Sequence, residues 1–229
     1  MGEKKKKEAS TKLWQKILIV GACVLFVVLM IVSGMGSGWL SIFTVVKPGD
    51  TVVIDFTLLN AEGNPILTTD QQLYTKDTTT NSGLVFSRPI SITANQTLTR
   101  SLYPVPIFTA SSGWTNQFAI FSPEYNAIST SLVGMKINEQ KRISIPSGNS
   151  MTQNWSADQL MLNKVNISDI NVGDVLAMGV SDNPDVEITN TSAITYIRTG
   201  EVIQKTQSGV IVDFGYPAAD IRVVSINKR

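Results

Sequence analysis

Apolar and polar residues alternate from residue 51 to residue 59, a period of two that predicts a strand with one buried face. Turn-forming residues follow at 60–64, and the segment 65–69 resumes as a shorter strand. Together the two segments predict a hairpin near the start of a folded domain. The buried face of the first strand is expected to consist of Val52, Ile54, Phe56 and Leu58.

A helix, a tight turn and a strand are predicted between residues 125 and 146. Gly134 follows an apolar segment with helical spacing, and glycine ends helices because it tolerates the left-handed conformation. A polar turn at 138–140 leads into 141–145, where polar and β-branched residues alternate until Pro146 removes a backbone donor. The helix is expected to bury Tyr125, Ile128 and Leu132.

The segment 17–46 carries no charged residue, and its first half is almost wholly aliphatic. About 20 apolar residues suffice to span a bilayer as a helix, so we predict a transmembrane helix at 17–39. Trp14 and Trp39 bracket it, as interfacial aromatic residues do, and the lysines before it place the N-terminus in the cytoplasm. The alternative is a cleaved signal peptide, because the small residues at 33–38 also suit a processing site. The length of the apolar run favours the anchor.

Charge divides the 229-residue chain at this apolar segment. Six of the 19 basic residues and two of the 18 acidic residues precede it, which leaves 13 basic and 16 acidic residues beyond it. No basic footprint for phosphate groups remains there, so we expect no nucleic-acid partner. The absence of histidine and the single cysteine, Cys23, exclude histidine-dependent catalysis, zinc sites and disulfide bonds. We expect no metal and no cofactor.

The segment from Asp70 to Pro123 is polar and rich in threonine, with a predicted strand at 84–93 and a loop-like passage around Pro104 and Pro106. Three aromatic residues lie in or after that passage, and we expect them to pack locally rather than to form a peptide-binding surface. They are Trp114, Phe118 and Phe121. Further along the chain, alternation with a period of two predicts a strand at 210–214.

Three separated blocks of the chain resemble FKBP-type peptidyl-prolyl isomerases, and they come in the order that this family has them. The block 132–146 reads L-V-G-M-K-I-N-E-Q-K-R-I-S-I-P and is similar to a family motif that ends in I-P, with Asn138 in the place of a glycine. The block 46–69 resembles the family's entry motif. The block 210–219 resembles the ending of the SlyD-like subgroup, whose members carry an inserted flap domain.

The resemblance implies an α+β fold, in which an antiparallel FKBP-like sheet wraps a short helix and a small β-rich domain is inserted. It also implies that Asp70 to Pro123 contains an insertion, because the family's corresponding segment is shorter. The predicted divisions are a cytoplasmic basic tail at 1–16, a transmembrane helix at 17–39, the first part of the FKBP-like domain at 47–151, the flap domain at 152–200 and closing strands at 201–229.

By the same resemblance, a small set of residues lines a substrate pocket. Ile128 stands where relatives have tryptophan or leucine at the pocket floor, Leu67 where they have an acid, and Met151 where many have a tyrosine that bonds the substrate carbonyl. Most polar groups of the family's pocket are therefore replaced. The implied pocket residues are Phe56, Ile66, Leu67, Ile128, Met151 and Tyr216, with Val223 of the last strand as a further candidate.

Isomerisation of a prolyl bond is compatible with a chain that has no histidine. The barrier of about 20 kcal/mol comes from amide resonance, and an apolar pocket that fits the twisted imide lowers it without proton transfer. The resemblance thus implies a membrane-anchored, extracytoplasmic prolyl isomerase that helps exported proteins to fold and acts on proline-containing or unfolded polypeptides. The alternatives are a weak or inactive FKBP-like module that binds unfolded or partner chains, and a cell-surface β domain unrelated to folding.

Overall fold

A computed structural model describes residues 2–34, 44–77, 83–146, 151–181 and 196–227. The chain divides into two compact units, Met1–Thr44 and Val45–Arg229. The helices in the described residues are α1 (Gly2–Gly34), α2 (Gln71–Asp77), α3 (Ser122–Ser131) and α4 (Ala157–Leu162), with a 3-10 turn at Ile167–Asp169. The strands are β1 (Thr51–Leu59), β2 (Pro65–Thr68), β3 (Val85–Phe86), β4 (Ile90–Thr93), β5 (Leu102–Thr109), β6 (Gly113–Phe121), β7 (Gln140–Ser144), β8 (Thr152–Ser156), β9 (Val175–Val180), β10 (Tyr196–Lys205), β11 (Gly209–Asp213) and β12 (Ala218–Asn227). The α+β class is as predicted.

Helix α1 contains the uncharged segment. Its stretch Trp14–Ile31 has a mean hydropathy of 2.3 and is not buried by the rest of the chain. By length and composition it is the one helix of the described residues that is able to cross a membrane. The helical backbone starts at Gly2, so the predicted tail at 1–16 is largely part of the same helix. The end of the predicted span 17–39 falls among residues 35–43, which lie outside the described residues.

The first sheet joins the strands of the first two sequence blocks to β12, the strand that begins at the end of the third block, whereas β11 within that third block belongs to the second sheet. Its order is β3-β2-β1-β12-β7, and β4 also pairs with β1. Strands β1 and β12 are antiparallel from Thr51, opposite Asn227, to Leu59, opposite Ala218. The alternation in β1 buries the predicted face, which confirms this strand. That face consists of Val52, Ile54, Phe56 and Leu58.

Helix α3, the turn after it and β7 confirm the predicted helix, turn and strand. Pro123 lies in the first turn of α3, where its missing N–H leaves no helical hydrogen bond unmade. Gly134 and Asn138 have positive φ angles of 88° and 65°, and both residue types tolerate this conformation. Strand β7 then pairs with β12. The α3 side chains Tyr125 and Ile128 are buried in one cluster with the apolar face of the first sheet.

The second sheet has the order β5-β6-β10-β11-β8, and β9 also pairs with β10. The hairpin β5–β6 lies inside the predicted insertion and meets β10 through one parallel pair, Ile197 opposite Phe118. Pro104 and Pro106 lie within β5, so the passage predicted to be a loop is a strand. Proline is tolerated there because β5 ends the strand order and a bulge lies beside Pro106.

The boundary predicted between the flap domain at 152–200 and the closing strands at 201–229 differs from the structure. Strands β10 and β11 belong to the second sheet, and only β12 joins the first. A second apolar cluster explains this, because alternation in β11 directs its apolar residues toward α4 and β10 rather than toward the first sheet. The buried members of that cluster are Leu160, Ile170, Val202, Val210, Val212 and Phe214. Both sheets lie in the same compact unit.

Candidate functional site

Five of the six implied pocket residues converge, but they do so inside the main core. Phe56 lies on β1, Ile66 and Leu67 on β2, Ile128 on α3 and Tyr216 between β11 and β12. Each is at most 2% exposed, and all belong to one apolar cluster. The further candidate from the last strand, Val223, is also buried there. In this conformation the side chains offer no surface to a substrate.

Met151 lies apart from the other implied pocket residues. It directly precedes β8 and packs against the second apolar cluster, on the side of Trp155 and Phe214. Its carbonyl oxygen accepts a hydrogen bond from the backbone N–H of Phe214 at 3.0 Å. The expected place of Met151 at a substrate carbonyl is therefore not reproduced, since the chain reaches the second sheet at this residue.

The hairpin β5–β6 supplies much of the packing around the five converged residues. Four of its apolar side chains belong to the same cluster. The ring of Phe118 stacks on that of Tyr216 with 6.4 Å between ring centroids and 16° between ring planes. The insertion therefore fills the core where the resemblance implies a pocket. The four side chains are Val105, Ile107, Phe118 and Ile120.

A buried ion pair joins α3 to β10 beside Tyr216. Arg198 is fully buried and donates two hydrogen bonds to the Glu124 carboxylate, one of them at 3.0 Å from Nη1 to Oε2. Its guanidinium carbon lies 3.9 Å from the Tyr216 ring centroid and 4.2 Å from that of Phe121. Its Nε donates to the carbonyl oxygen of Phe214 at 2.8 Å. The cation thus lies between two aromatic faces and is paired on all sides.

The carboxylate of this pair also holds the start of α3. Oε2 of Glu124 accepts a hydrogen bond from the backbone N–H of Phe121 at 2.7 Å, which satisfies one of the free donors at the helix N-terminus. Within the described residues, every buried side-chain nitrogen and oxygen has a hydrogen-bond partner. Sequence reasoning missed the pair. The available signal was Arg198, a charged residue directly after the strand-like piece at 194–197.

Tyr216 is held as a neutral phenol whose hydroxyl is already used. Burial raises its pKa above the ordinary value, although the nearby Arg198 cation opposes that shift. The hydroxyl donates to the carbonyl oxygen of Thr199 at 2.6 Å. Tyr216 therefore has no free donor for a substrate carbonyl in this conformation.

An open cleft lies on the outer face of the first sheet, away from the buried cluster. Its volume is about 1010 Å³, and its walls come from β1, β2, β7, β12 and the start of α2. Two ion pairs between adjacent strands line it, Arg142 with Asp220 at 2.6 Å and Arg222 with Asp55. Positive and negative charges alternate in it, so the cleft is polar and does not resemble an apolar proline pocket.

Apolar side chains are exposed on the second sheet's short helix. Ser156 and Gln159 form a capping box that begins α4, and Leu160 is buried beneath the helix. The next two residues point outward, with Met161 71% exposed and Leu162 85% exposed. Val172, in the turn before β9, is 62% exposed. We call the adjacent exposed pair Met161 and Leu162 the flap surface.

A carboxylate between the two sheets gives the domain a pH dependence. Nδ2 of Asn60, at the end of β1, donates to Oε2 of Glu201 on β10. Burial raises the pKa of Glu201, and the carboxylates of Glu62 and Asp213 raise it further against that hydrogen bond. The folded chain therefore binds this proton more tightly than the unfolded chain. The stability it contributes is complete below the unfolded pKa of about 4.3 and is lost as the pH rises through the folded pKa.

Glu201→Gln is expected to stabilise the domain at pH 7 relative to wild type, because a partly buried charge is removed while an acceptor for Asn60 remains. The difference in melting temperature should shrink as the pH falls toward 4, where Glu201 is itself protonated. Thermal unfolding of both proteins between pH 4 and 7.5 measures this. A difference that stays constant across the range would contradict the assigned role of Glu201.

Direct comparison with known proteins identifies no family for the chain. In the described ranges, no group of three or more His, Cys, Asp or Glu side chains is placed to hold a metal ion. No family model matches the chain. No curated protein matches it significantly.

Proposed function

We propose that the chain is a membrane-tethered, FKBP-like module that binds unfolded polypeptide without catalysing prolyl isomerisation. The family assignment is supported by the first two sequence blocks, since their strands β1 and β7 lie on either side of β12 in one sheet and α3 packs against its apolar face. The strand inside the third block, β11, lies in the second sheet. The order of helix, left-handed turn and strand at 122–144 agrees with the family motif.

One contrast carries the binding proposal. The implied pocket side chains are buried, whereas the flap surface presents Met161 and Leu162 almost fully to solvent. Exposed apolar groups of this size mark interaction surfaces, and methionine adapts to partners of varied shape because its side chain is flexible and polarizable. The flap surface lies in the segment that resembles the SlyD-like flap domain, which grips unfolded polypeptide in relatives.

The double variant Met161→Ser/Leu162→Ser tests this function. It should lose most of the chain's ability to suppress aggregation of lactalbumin that is unfolded by reduction of its disulfides. The protein concentration needed for half suppression should rise several-fold. Each lost apolar side chain costs about 1.5–3 kcal/mol of binding if it is fully buried in the complex. Light scattering of the client with full-length chain in detergent micelles measures the effect.

A matched control is Val133→Ser/Val224→Ser, which removes two apolar side chains, each 39% exposed, from outside the second sheet. This variant should suppress aggregation as wild type does. Equal suppression by all three proteins would remove the flap surface from the proposal. Circular dichroism of each variant checks that the fold is retained, because all four side chains are exposed.

A second candidate is the prolyl isomerase that the resemblance implies. It is favoured by the convergence of Phe56, Ile66, Leu67, Ile128 and Tyr216 on one cluster, since an apolar pocket needs such a set. Isomerase activity would also require the β5–β6 hairpin to move away from this cluster. Proline-limited refolding of a model substrate separates the two functions, because the binding module leaves the rate unchanged at micromolar protein and the isomerase accelerates it.

We further propose that α1 anchors the chain with its N-terminus in the cytoplasm and the folded unit outside. The lysines that precede the apolar stretch support this orientation through the positive-inside bias. A variant with Cys23→Ser and Ser111→Cys should react with a membrane-impermeant maleimide on intact cells. Labelling only after lysis would show that the folded unit lies in the cytoplasm, which is the opposite of the proposed orientation.

A further inference from the structure

The tip of the β5–β6 hairpin is an uncharged segment between two exposed aromatic residues. Phe108 and Trp114 are opposite each other in the hairpin register, and the residues between them are Thr, Ala, Ser, Ser and Gly. The side chains are 45% and 44% exposed, and their rings meet edge to face with 5.6 Å between centroids. The small residues of this tip contribute nothing to the hydrophobic core, and the two rings beside them expose apolar surface to water.

The pair extends into a row of four rings. Trp114 lies 5.8 Å from Phe86 on β3, and Phe86 lies 5.0 Å from Tyr74 on α2, between ring centroids. The guanidinium carbon of Arg88 lies 5.6 Å from the Trp114 ring centroid. We call Tyr74, Phe86, Phe108 and Trp114 the aromatic row. It places a cation directly beside the exposed aromatic tip.

The exposure of the row is not a by-product of core packing. Along β5 the buried positions are Val105 and Ile107, and both belong to the main cluster. Phe108, the next residue, points away from that cluster and is exposed. On β6, Phe118 is buried while Trp114 is not. One set of hairpin residues therefore packs in the core, and a different set contributes exposed rings to the aromatic row.

We propose that the aromatic row docks onto the lipid surface of the membrane that holds α1. Tryptophan and phenylalanine partition to the water–lipid boundary, where the ring lies among acyl chains and headgroups. An uncharged tip enters this region without the cost of burying a charge. The Arg88 guanidinium beside Trp114 matches a lipid phosphate in charge and hydrogen-bonding capacity.

The short connection to α1 raises the effective concentration of lipid at the row. Residues 35–44 separate Gly34 from the second compact unit, and such a segment reaches at most about 35 Å when fully extended. A weak contact between the aromatic row and the lipid surface thereby becomes nearly intramolecular. The inference rests on the proposed anchoring by α1 and is independent of polypeptide binding by the flap surface.

Quenching of tryptophan fluorescence by brominated lipid tests the docking. The full-length chain is reconstituted into vesicles of phosphatidylcholine and phosphatidylglycerol, and flotation establishes first that it is anchored. One variant retains Trp114 alone, with Trp14, Trp39 and Trp155 replaced by Phe. Its emission should fall to roughly half when the acyl chains carry bromine near the headgroup, as expected for a ring at the interface.

The matched reference retains Trp155 alone, in which Trp14, Trp39 and Trp114 are replaced by Phe. Trp155 packs beside Phe214 in the second cluster, and its emission should change little. In the single-Trp114 background, Phe108→Ser should reduce the quenching toward the Trp155 level, whereas Val133→Ser, a similarly exposed site outside the row, should leave it unchanged.

Quenching of Trp114 no stronger than that of Trp155 in anchored chain overturns the proposal. If a reduced, carboxymethylated client protein that lacks tryptophan then shifts the Trp114 emission, the row is a polypeptide site. If the emission instead follows the density of the chain in vesicles lacking bromine, the row contacts a second copy. Either result, without quenching by lipid, counts against docking on the membrane. Failure of flotation would refute anchoring itself.

Discussion

Replacing Arg198 by methionine should lower the free energy of unfolding by about 3–5 kcal/mol, because the buried Glu124 carboxylate is left without its cation. The loss is large even where the intact pair adds little net stability, since a lone charge in the core remains desolvated. The carbonyl oxygens of Ala119 and Phe214 would also lose a donor. Guanidinium unfolding of the full-length chain in micelles, followed by near-UV circular dichroism, measures the change.

Two controls identify the ion pair as the cause. Arg142→Met removes an exposed arginine that pairs with Asp220, and surface pairs contribute at most about 1 kcal/mol. Adding Glu124→Gln to Arg198→Met removes the orphaned charge and keeps an acceptor for Phe121. The double variant should therefore lose less than the sum of the single losses, with a coupling energy of roughly 2 kcal/mol. Strict additivity would show that the two side chains do not stabilise each other.

The strands of the first sheet were predictable because their side chains repeat with the period of a half-buried strand. In β1, Phe56 alternates with polar residues, and Gly134 and Asn138 bound a turn whose conformation few other residue types adopt. Such signals are local. They require no knowledge of which element lies next to which, so the helix, turn and strand at 122–144 could be derived from the sequence.

The partners of strands were harder to predict, because periodicity identifies a buried face and not what covers it. Alternation in β11 indicated a strand correctly, yet Val212 packs into the second cluster rather than beside β12. Pro104 and Pro106 suggested a loop, but β5 is an edge strand that needs no donor from them. Arg198 and Glu124 are 74 residues apart, so no short-range pattern connects them.

The implied pocket shows the same limit of local information. A family resemblance places Phe56 and Tyr216 near each other, and the structure brings them into one cluster. The resemblance carries no information about Phe118, because the hairpin that bears it lies in a segment longer than its counterpart in the family. A residue that fills a pocket from an insertion can be found only once the insertion's own fold is known.

Phe118→Ala should lower the free energy of unfolding by about 3–5 kcal/mol, since it removes a fully buried ring and leaves a cavity beside Tyr216. The cavity has little scope to collapse, because β1, α3 and the ion pair enclose the Tyr216 ring. Phe118→Leu should recover about half of the loss by refilling part of the volume. The same guanidinium unfolding in micelles measures all three proteins.

Phe108→Ala is the matched control, because it makes the same chemical change on the same hairpin at a side chain that is 45% exposed. Its cost should be about 1 kcal/mol or less. Equal costs at Phe108 and Phe118 would mean that the hairpin does not fill the core, and the cluster around Tyr216 would then be open to a ligand. A large cost at Phe118 alone means that the β5–β6 hairpin fills the place of the implied pocket and belongs to the hydrophobic core.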